Sequence, residues 1–319
     1  MHAERNRKAA ATSFTELSYL GYGEYGAAMN MALDEAMRER SSETGAMLVR
    51  FYDFKRKSVI YSKFDDASII KRENADGIEI TRRESGGRPI YLSSNVLCYS
   101  IAIPERQDGG SDDTEYGVHQ RYGRIMADAI ARVAGMGGNE LELPGRSSIR
   151  FMGEPLAGHA QWRSGFNKGP TLYHGIIVVA PWDAEEIGRI WNIDKKELGR
   201  IAGLPSVMGI ARRGLGSVAE TKSEIVDTFL ALIGKSDAVP DTNEDGLLLS
   251  RAARLAADKY ANDSWVFPLL DSEESERRTI REQRLRNVPF CILWEDSQKP
   301  PKVNPRLAES DSEKQVHEA

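Results

Sequence analysis

The segment RRESGGRPIY, residues 82–91, joins two arginines at the end of a strand-like run (IEITRR, 78–83) to two glycines that open a loop. Arg82 and Arg83 offer rigid, permanently charged forks of N–H donors. Gly86 and Gly87 let the main chain turn tightly and bring backbone N–H groups against a ligand. Ser85 adds a hydroxyl that can hydrogen-bond a carboxylate. The composition suits a loop that holds an anion, and it suits an ordinary charged turn equally well. The flanking sequence decides which scaffold carries it.

Upstream, FTELSYL (14–20) reads as a strand, GYGEYG (21–26) as a glycine-rich turn, and 27–40 as a helix with Met29, Leu33, Ala36 and Met37 at helical spacing. AMLVRFYDF (46–54) and SVIYS (58–62) are strands joined by a short polar turn, the signature of a hairpin. A short helix is expected near 66–75. Downstream, VLCYSIAIP (96–104) is a strand, and 115–134 carries the apolar stripe of a long helix. SIRFMG (148–153), PLAGHAQWR (155–163) and TLYHGIIVVA (171–180) are three more strands. Thr221-Lys222-Ser223-Glu224 reads as a capping box before a helix with Ile225, Phe229 and Leu232, and a last helix spans about 246–260. Strands come in runs, not in strict alternation with helices. The fold class is therefore α+β, a mostly antiparallel sheet flanked by helices.

Composition narrows the function classes. The 319 residues carry 43 basic and 48 acidic side chains, a formal net charge of −5, with 40% hydrophobic residues. That balance argues against a nucleic-acid binder held by charge. IIVVAPW (176–182), the longest apolar stretch, is far short of the roughly 20 residues a membrane span needs. Two cysteines, Cys98 and Cys291, make no disulfide framework and suit a reducing cytoplasm. No pair of histidines has metal-ligand spacing, so no metal site is expected. Residues 1–13 read as a flexible leader, 14–270 as one domain, and 271–319 as a charged, extended tail with one apolar patch, VPFCILW (288–294). GYGEYG matches the G-x-G-x-x-G of dinucleotide folds, but Asp53 lies too far along to be the partnering acid. A strand also follows where such a fold needs a second crossover helix. A turn ahead of an amphipathic helix is the preferred reading.

The loop also carries a resemblance. RRESGG, followed by a strand ending in Tyr99-Ser100, resembles the ligand loop of the lipoate–protein ligase A family, R-R-x-S-G-G-G-x-V-x-H-D-x-G-N-L-N-Y-S. Other blocks fall in the family's order: Asn30 to Ala36 (NMALDEA), Val49 to Tyr52 (VRFY), Gly145-Arg146, then Gly153, Gly158, Ala160 and Gln161, then His174-Gly175, and finally Lys259-Tyr260 with Trp265. The resemblance implies a biotin/lipoate-ligase fold, of the class II synthetase-like type, over about residues 16–267. It implies binding of lipoate or octanoate, activation with ATP and Mg²⁺ to an acyl-adenylate, and transfer to a lysine of a lipoyl carrier domain. A 2-oxoacid dehydrogenase subunit or the glycine-cleavage H protein would be such a carrier. Related transferases omit ATP and pass octanoyl between carriers, some through a catalytic cysteine. Some members need a separate small accessory domain, and the resemblance leaves open whether another chain supplies one.

Carried onto this chain, the resemblance gives Arg82, Arg83, Ser85, Gly86, Gly87, Tyr91, Gly158, His174 and Gly175 as substrate-binding residues. Arg83 and Ser85 would hold carboxylate or phosphate, while Gly158 and His174 would shape the facing wall; a packed strand histidine is the other reading of His174. The chain departs from the pattern at three places. The motif lysine, expected to balance charge on the reacting carbonyl, is Pro155. The third loop glycine is Arg88, followed by Pro89, and the motif's His-Asp is Leu92-Ser93. The Asn-Asp after Gly145-Arg146 is Ser147-Ser148. Arg88, His159 and Lys168 are the candidates to compensate for the lysine. Cys98, in mid-strand, reads as buried packing, and no G-x-S-x-G elbow announces an activated serine. Two functions follow: a lipoate–protein ligase-like enzyme, or a non-catalytic acyl-binding homologue that has lost adenylation.

Overall fold

The computed structural model describes residues 16–65, 74–105, 114–163, 169–191 and 195–267. The leader, the tail with Cys291, Lys168 and most of the expected helix near 66–75 lie outside the described residues. Among the described residues, ten strands form two sheets. Seven strands make the main sheet, in the order β1 (Leu17–Tyr25), β2 (Met47–Phe54), β6 (Val96–Ile103), β10 (Thr171–Val178), β9 (Glu154–Arg163), β8 (Ser148–Phe151), β7 (Leu141–Glu142). A three-stranded sheet places β3 (Ser58–Tyr61) between β4 (Glu79–Arg82) and β5 (Ile90–Leu92). All neighbours are antiparallel except β1–β2 and β3–β4.

Three sequence expectations change. β2 and β3 are not a hairpin: β2 pairs with β1 and β6, whereas β3 pairs with β4 and β5 in the other sheet. The short polar link reads locally like a hairpin turn, but each strand finds better burial elsewhere. GYGEYG is no turn before the helix. It continues β1, with Gly21 at φ +90° inside the register shift between Tyr19 and Tyr22. Helix α1 (Ala27–Thr44) then crosses over to the parallel β2. Its N-terminus, where a pyrophosphate would sit in a nucleotide fold, is occupied by a protein carboxylate: Glu79 Oε2 accepts from the Ala27 N–H at 2.6 Å. Finally, the capping box lies one turn earlier than read. Ser217 Oγ accepts from the Glu220 N–H, and Glu220 Oε2 accepts from the Ser217 N–H at 2.6 Å. The capped helix is the one spanning Val218–Leu232.

Strand alternation distributes the core to the two faces of the main sheet. On β6, Leu97, Tyr99 and Ile101 pack with Phe229 and Ile225 of the Val218–Leu232 helix and with Met126, Ile130 and Val133. The last three belong to the long helix, built as α2 (Glu115–Val118), a π-helical turn (His119–Gly123) and α3 (Arg124–Val133). Cys98 and Ala102 face the other way, toward Met31, Leu33 and Met37 of α1 and toward the small sheet. The chain closes by running Thr242–Leu255 along α1 and bringing Tyr260 and Trp265 against β4. Among the described residues, no helix is long and apolar enough to cross a membrane.

One charged cluster sits in the α1-facing core. Arg50 of β2 donates to Asp34 Oδ1 at 2.6 Å, to the Asn30 carbonyl at 2.7 Å and to Asn30 Oδ1 at 3.1 Å. Its guanidinium lies 3.8 Å from the centre of the Tyr52 ring. Both members of the pair are buried, so removing either leaves an uncompensated charge in the core. Replacing Arg50 with Leu is expected to lower the unfolding free energy by about 3–5 kcal/mol, measured by urea denaturation; a loss below about 1 kcal/mol would show that the cluster does not organise this core.

Candidate functional site

The 82–91 loop is built from its own arginines. The Arg83 N–H donates to the Tyr61 carbonyl at 2.8 Å, which continues the β3–β4 pairing one residue past the strand. Its guanidinium then turns back under the loop. Nη2 donates to the Gly86 carbonyl at 2.7 Å and the Arg88 carbonyl at 2.8 Å, Nη1 to the Ile60 carbonyl at 3.1 Å, and Nε to Ser85 Oγ at 3.0 Å. Gly87 has φ +101°, and a β-carbon there would come within 2.9 Å of Arg83 Nη2. Burial lowers the Arg83 pKa to about 10, below its ordinary value and still well above neutrality. Arg82 is equally enclosed. It donates to the carbonyls of Ser62 and Asp65 at 2.8 Å and reaches the Val266 carbonyl at 3.2 Å. Both guanidinium groups, read from sequence as ligand donors, therefore hold main-chain carbonyls of the loop and its surroundings.

Glu84 fastens the loop to the rest of the fold. Its carboxylate takes Lys63 at 2.7 Å and Lys259 at 2.5 Å, and Lys259 also reaches Glu35 of α1 at 2.8 Å. Burial raises the Glu84 pKa, but the two lysines outweigh it and hold the carboxyl below its usual range. Trp265 Nε1 donates to the Arg82 carbonyl at 3.0 Å, and Thr81 Oγ1 to that of Tyr260 at 2.7 Å.

This scaffold presents Ser85 to His174. His174 lies on β10 between Ser100 of β6 and Ala160 of β9, on the α1-facing side of the sheet. Its Nδ1 is 2.8 Å from Asp34 Oδ2, and its Nε2 is 2.6 Å from Ser85 Oγ. Asp34 Oδ1 accepts from Arg50 and from Ser100 Oγ, each at 2.6 Å. Burial pushes the Asp34 carboxyl up, yet Arg50, His174 and Ser100 together bring it below its ordinary value. An ionised Asp34 can only accept, so in the neutral imidazole Nδ1 carries the proton and Nε2 is the acceptor that faces the Ser85 hydroxyl. Ser85, His174 and Asp34 are 2%, 6% and 3% exposed. The arrangement can draw the hydroxyl proton onto Nε2 while Asp34 stabilises the imidazolium.

The other sequence-predicted residues fall outside this constellation. His159 faces the opposite side of the sheet, where its ring stacks on Tyr173 with centroids 5.3 Å apart and its Nδ1 meets the Tyr99 hydroxyl. Burial, with His119 and His174 nearby, keeps its pKa well below the ordinary value, so it supplies no positive charge in place of the lysine. Gly175 serves that same packing: a β-carbon would stand 2.4 Å from the Gly158 carbonyl and 2.7 Å from His159 Nδ1. Tyr91 turns to Glu186 on the helix Ala184–Trp191. Pro155 is buried on β9, Arg88 is half-buried beside the loop, and Cys98 is buried with its thiol pKa raised by desolvation. Sequence reasoning assigned no chemistry to Asp34, Arg50 or Ser100, although all three lie in the quoted blocks. The available signal was Asn30 and Asp34, polar residues four apart on a helix face that is otherwise apolar.

The histidines on the far face set an acid limit to stability. Burial lowers the His119 pKa to about 4, and Tyr173 Oη lies 3.1 Å from its Nδ1. Between about pH 6.5 and pH 4 the unfolded chain therefore binds protons that the folded chain excludes, and stability falls as pH drops through that window. Urea denaturation at stepped pH should show this fall, with a slope shallower by close to one proton in His119→Gln. An unchanged slope in that variant would count against the assignment.

Comparison with known proteins agrees with this architecture. Residues 26–229 match the lipoyl protein ligase A/B catalytic domain. The octanoyltransferase LipM of Lysinibacillus sphaericus is 28% identical over 279 residues, covering 78% of this chain and 98% of that protein. The bipartite lipoate protein ligase of Thermoplasma acidophilum, solved with its E2 lipoyl domain, superposes with a TM-score of 0.60 at 19% identity, covering 81% of this chain and 99% of that one. A lipoate-protein ligase A bound with ATP gives 0.59 at 20% identity, covering 80% and 100% of the two chains. With residues 26–229, well over half of its length, matched to that domain, the chain belongs to the lipoyl protein ligase A/B catalytic domain family.

Proposed function

We propose that this protein is an acyl-transferring enzyme that places a lipoyl or octanoyl group on a lysine of a lipoyl carrier domain, in the cytoplasm. The carrying observation is that two family blocks distant in sequence meet at bonding distance, Ser85 of the loop against His174 of β10. The carrier would be a domain of the kind found in a 2-oxoacid dehydrogenase subunit or the glycine-cleavage H protein. The Thermoplasma ligase, solved with an E2 lipoyl domain, supports that choice of partner.

Adenylation of a free acid by ATP and Mg²⁺ is the route expected by analogy with ligases, and the residues here do not fit it. Pro155 stands at the lysine position, and Ser147-Ser148 replaces the Asn-Asp whose carboxylate would help with the cation. Arg82 and Arg83 are directed to main-chain carbonyls and, for Arg83, to Ser85 Oγ, contacts that occupy the donors a phosphate would need. The favoured donor is an acyl group already activated as a thioester, a reading supported by the similarity to an octanoyltransferase.

The purified protein, incubated with octanoyl-coenzyme A or an octanoyl-carrier-protein thioester and a lipoyl domain, is expected to add one octanoyl group to the domain without ATP, read by intact mass. It should show no lipoate-dependent ATP–pyrophosphate exchange. Acylation only from the free acid with ATP and Mg²⁺ would return the chain to the ligases. Failure with both donors would remove the transfer reading.

A further inference from the structure

We infer that Ser85 is the nucleophile of this reaction and carries the acyl group as an ester between donor and acceptor. The inference rests on the transfer reading above and adds the covalent step. Cysteine-dependent transfer needs a thiol activated to the thiolate. Among the described residues the one cysteine, Cys98, is buried in β6 with its thiol pKa raised. Ser85 is as buried as Cys98, and what distinguishes it is an activating base. A base stands 2.6 Å from its oxygen, and that base is oriented from behind by a buried carboxylate at 2.8 Å. Such a nucleophile–base–orienter constellation is identified by geometry and roles, not by a sequence motif.

Three further features separate this site from a passive buried hydrogen bond. First, Asp34 is held on both oxygens by Arg50, Ser100 and His174, so it stays ionised and its tautomer control over His174 is fixed. Second, Arg83 Nε donates to Ser85 Oγ at 3.0 Å, which places a permanent cation on the oxygen where negative charge develops as the proton leaves. Third, the loop is rigid around the hydroxyl. Arg83 ties down the carbonyls of Gly86 and Arg88, and the Lys63 N–H holds the Ser85 carbonyl at 3.1 Å. Together these place a buried positive charge at the Ser85 oxygen and hold the hydroxyl against its base.

The steps balance without an oxidant, a reductant or ATP. With an acyl thioester as donor, Ser85 Oγ bonds to the acyl carbon and the carbon–sulfur bond breaks. The hydroxyl proton passes to His174 Nε2 and then to the departing thiolate. In the second half-reaction the neutral amine of the carrier lysine bonds to the acyl carbon and the Oγ–carbon bond breaks. His174 takes the amine proton and returns it to Ser85 Oγ. His174 thus moves protons in both directions, whereas Asp34 acts through His174 as a positioning residue.

The test is the full chain incubated with octanoyl-coenzyme A in the absence of acceptor, quenched in acid and read by intact mass and peptide mapping. The expected result is one octanoyl group on Ser85, stable to neutral hydroxylamine as an ester is, and discharged by a lipoyl domain. Ser85→Ala should lose the adduct and slow carrier acylation by about a thousandfold or more. Ser85→Cys should form an adduct that neutral hydroxylamine removes, and this arm decides the matter if the alanine variant does not fold. Asp34→Asn should slow acylation while leaving the adduct on Ser85 and displacing the acid limb of the rate–pH profile, a shift that a purely structural role would not produce. Wild-type rates of thioester-dependent carrier acylation in folded Ser85→Ala would overturn the inference and leave the transfer reading standing. An adduct mapped to another residue would do the same. If wild-type protein acylates the carrier from neither donor, the transfer reading itself fails.

Discussion

A carboxylate and a guanidinium buried together under a sheet stabilise a fold only when every remaining lone pair and donor is met, because the cost of removing two charges from water rivals their attraction. Asp34 and Arg50 come close to that condition. Asn30, Ser100 and His174 share the contacts, and the ring of Tyr52 covers the guanidinium. The same cluster fixes three separate pieces of chain: α1, which carries Asn30 and Asp34; β2, which carries Arg50; and the central pair β6–β10, which carries Ser100 and His174. The orientation of His174, and with it the reach toward Ser85, follows from how that charge pair is satisfied. Core stability and site geometry are thus one arrangement, which explains why polar residues occupy the middle of an otherwise apolar interface.

The two faces of the main sheet divide the polar work. On the α1 side, charge is retained and shared among Asp34, Arg50, His174, Ser85 and Arg83. On the other, His119, His159, Tyr99 and Tyr173 form a layer of aromatic and hydroxyl groups in which burial disfavours the charged imidazoles. Gly175 has no side chain on that far face, and this permits Tyr99 and His159 to close over the strand. A single strand residue separates the two regimes: His174 projects to one side, and the space above Gly175 serves the other.

Much of the architecture was legible in residue patterns. The α+β class, the strand runs around β6, β9 and β10, and the amphipathic helix at 115–134 follow from periodicity that tertiary packing reinforces. The errors occurred where local cues met a long-range choice. KRK looks like a hairpin turn, but β2 and β3 enter different sheets. GYGEYG looks like a turn, but a bulge absorbs Gly21 and the strand continues. The site was legible in its parts, not in its wiring. The loop and His174 were singled out from sequence. That Arg83 would hold the loop's own carbonyls, that His159 would face away, and that Asp34 would complete a relay depend on which side of a strand or helix each residue takes after folding. No single residue type announces that.

The final segment of the described chain has a consequence for how this site comes into being. Tyr260, Trp265 and Val266 contact β4 through Thr81 and Arg82, residues more than half the chain away in sequence. Lys259 bridges Glu35 and Glu84 across a comparable separation. Contacts of this span carry a larger loop-closure cost than local ones, offset here by the buried hydrogen bonds and ion pairs they make. The Ser85 loop is therefore held in place in part by the C-terminal segment, through the residues that precede Ser85. Loosening at the C-terminal clamp would thus reach the site through Glu84 and Arg82, far along the chain from where it began.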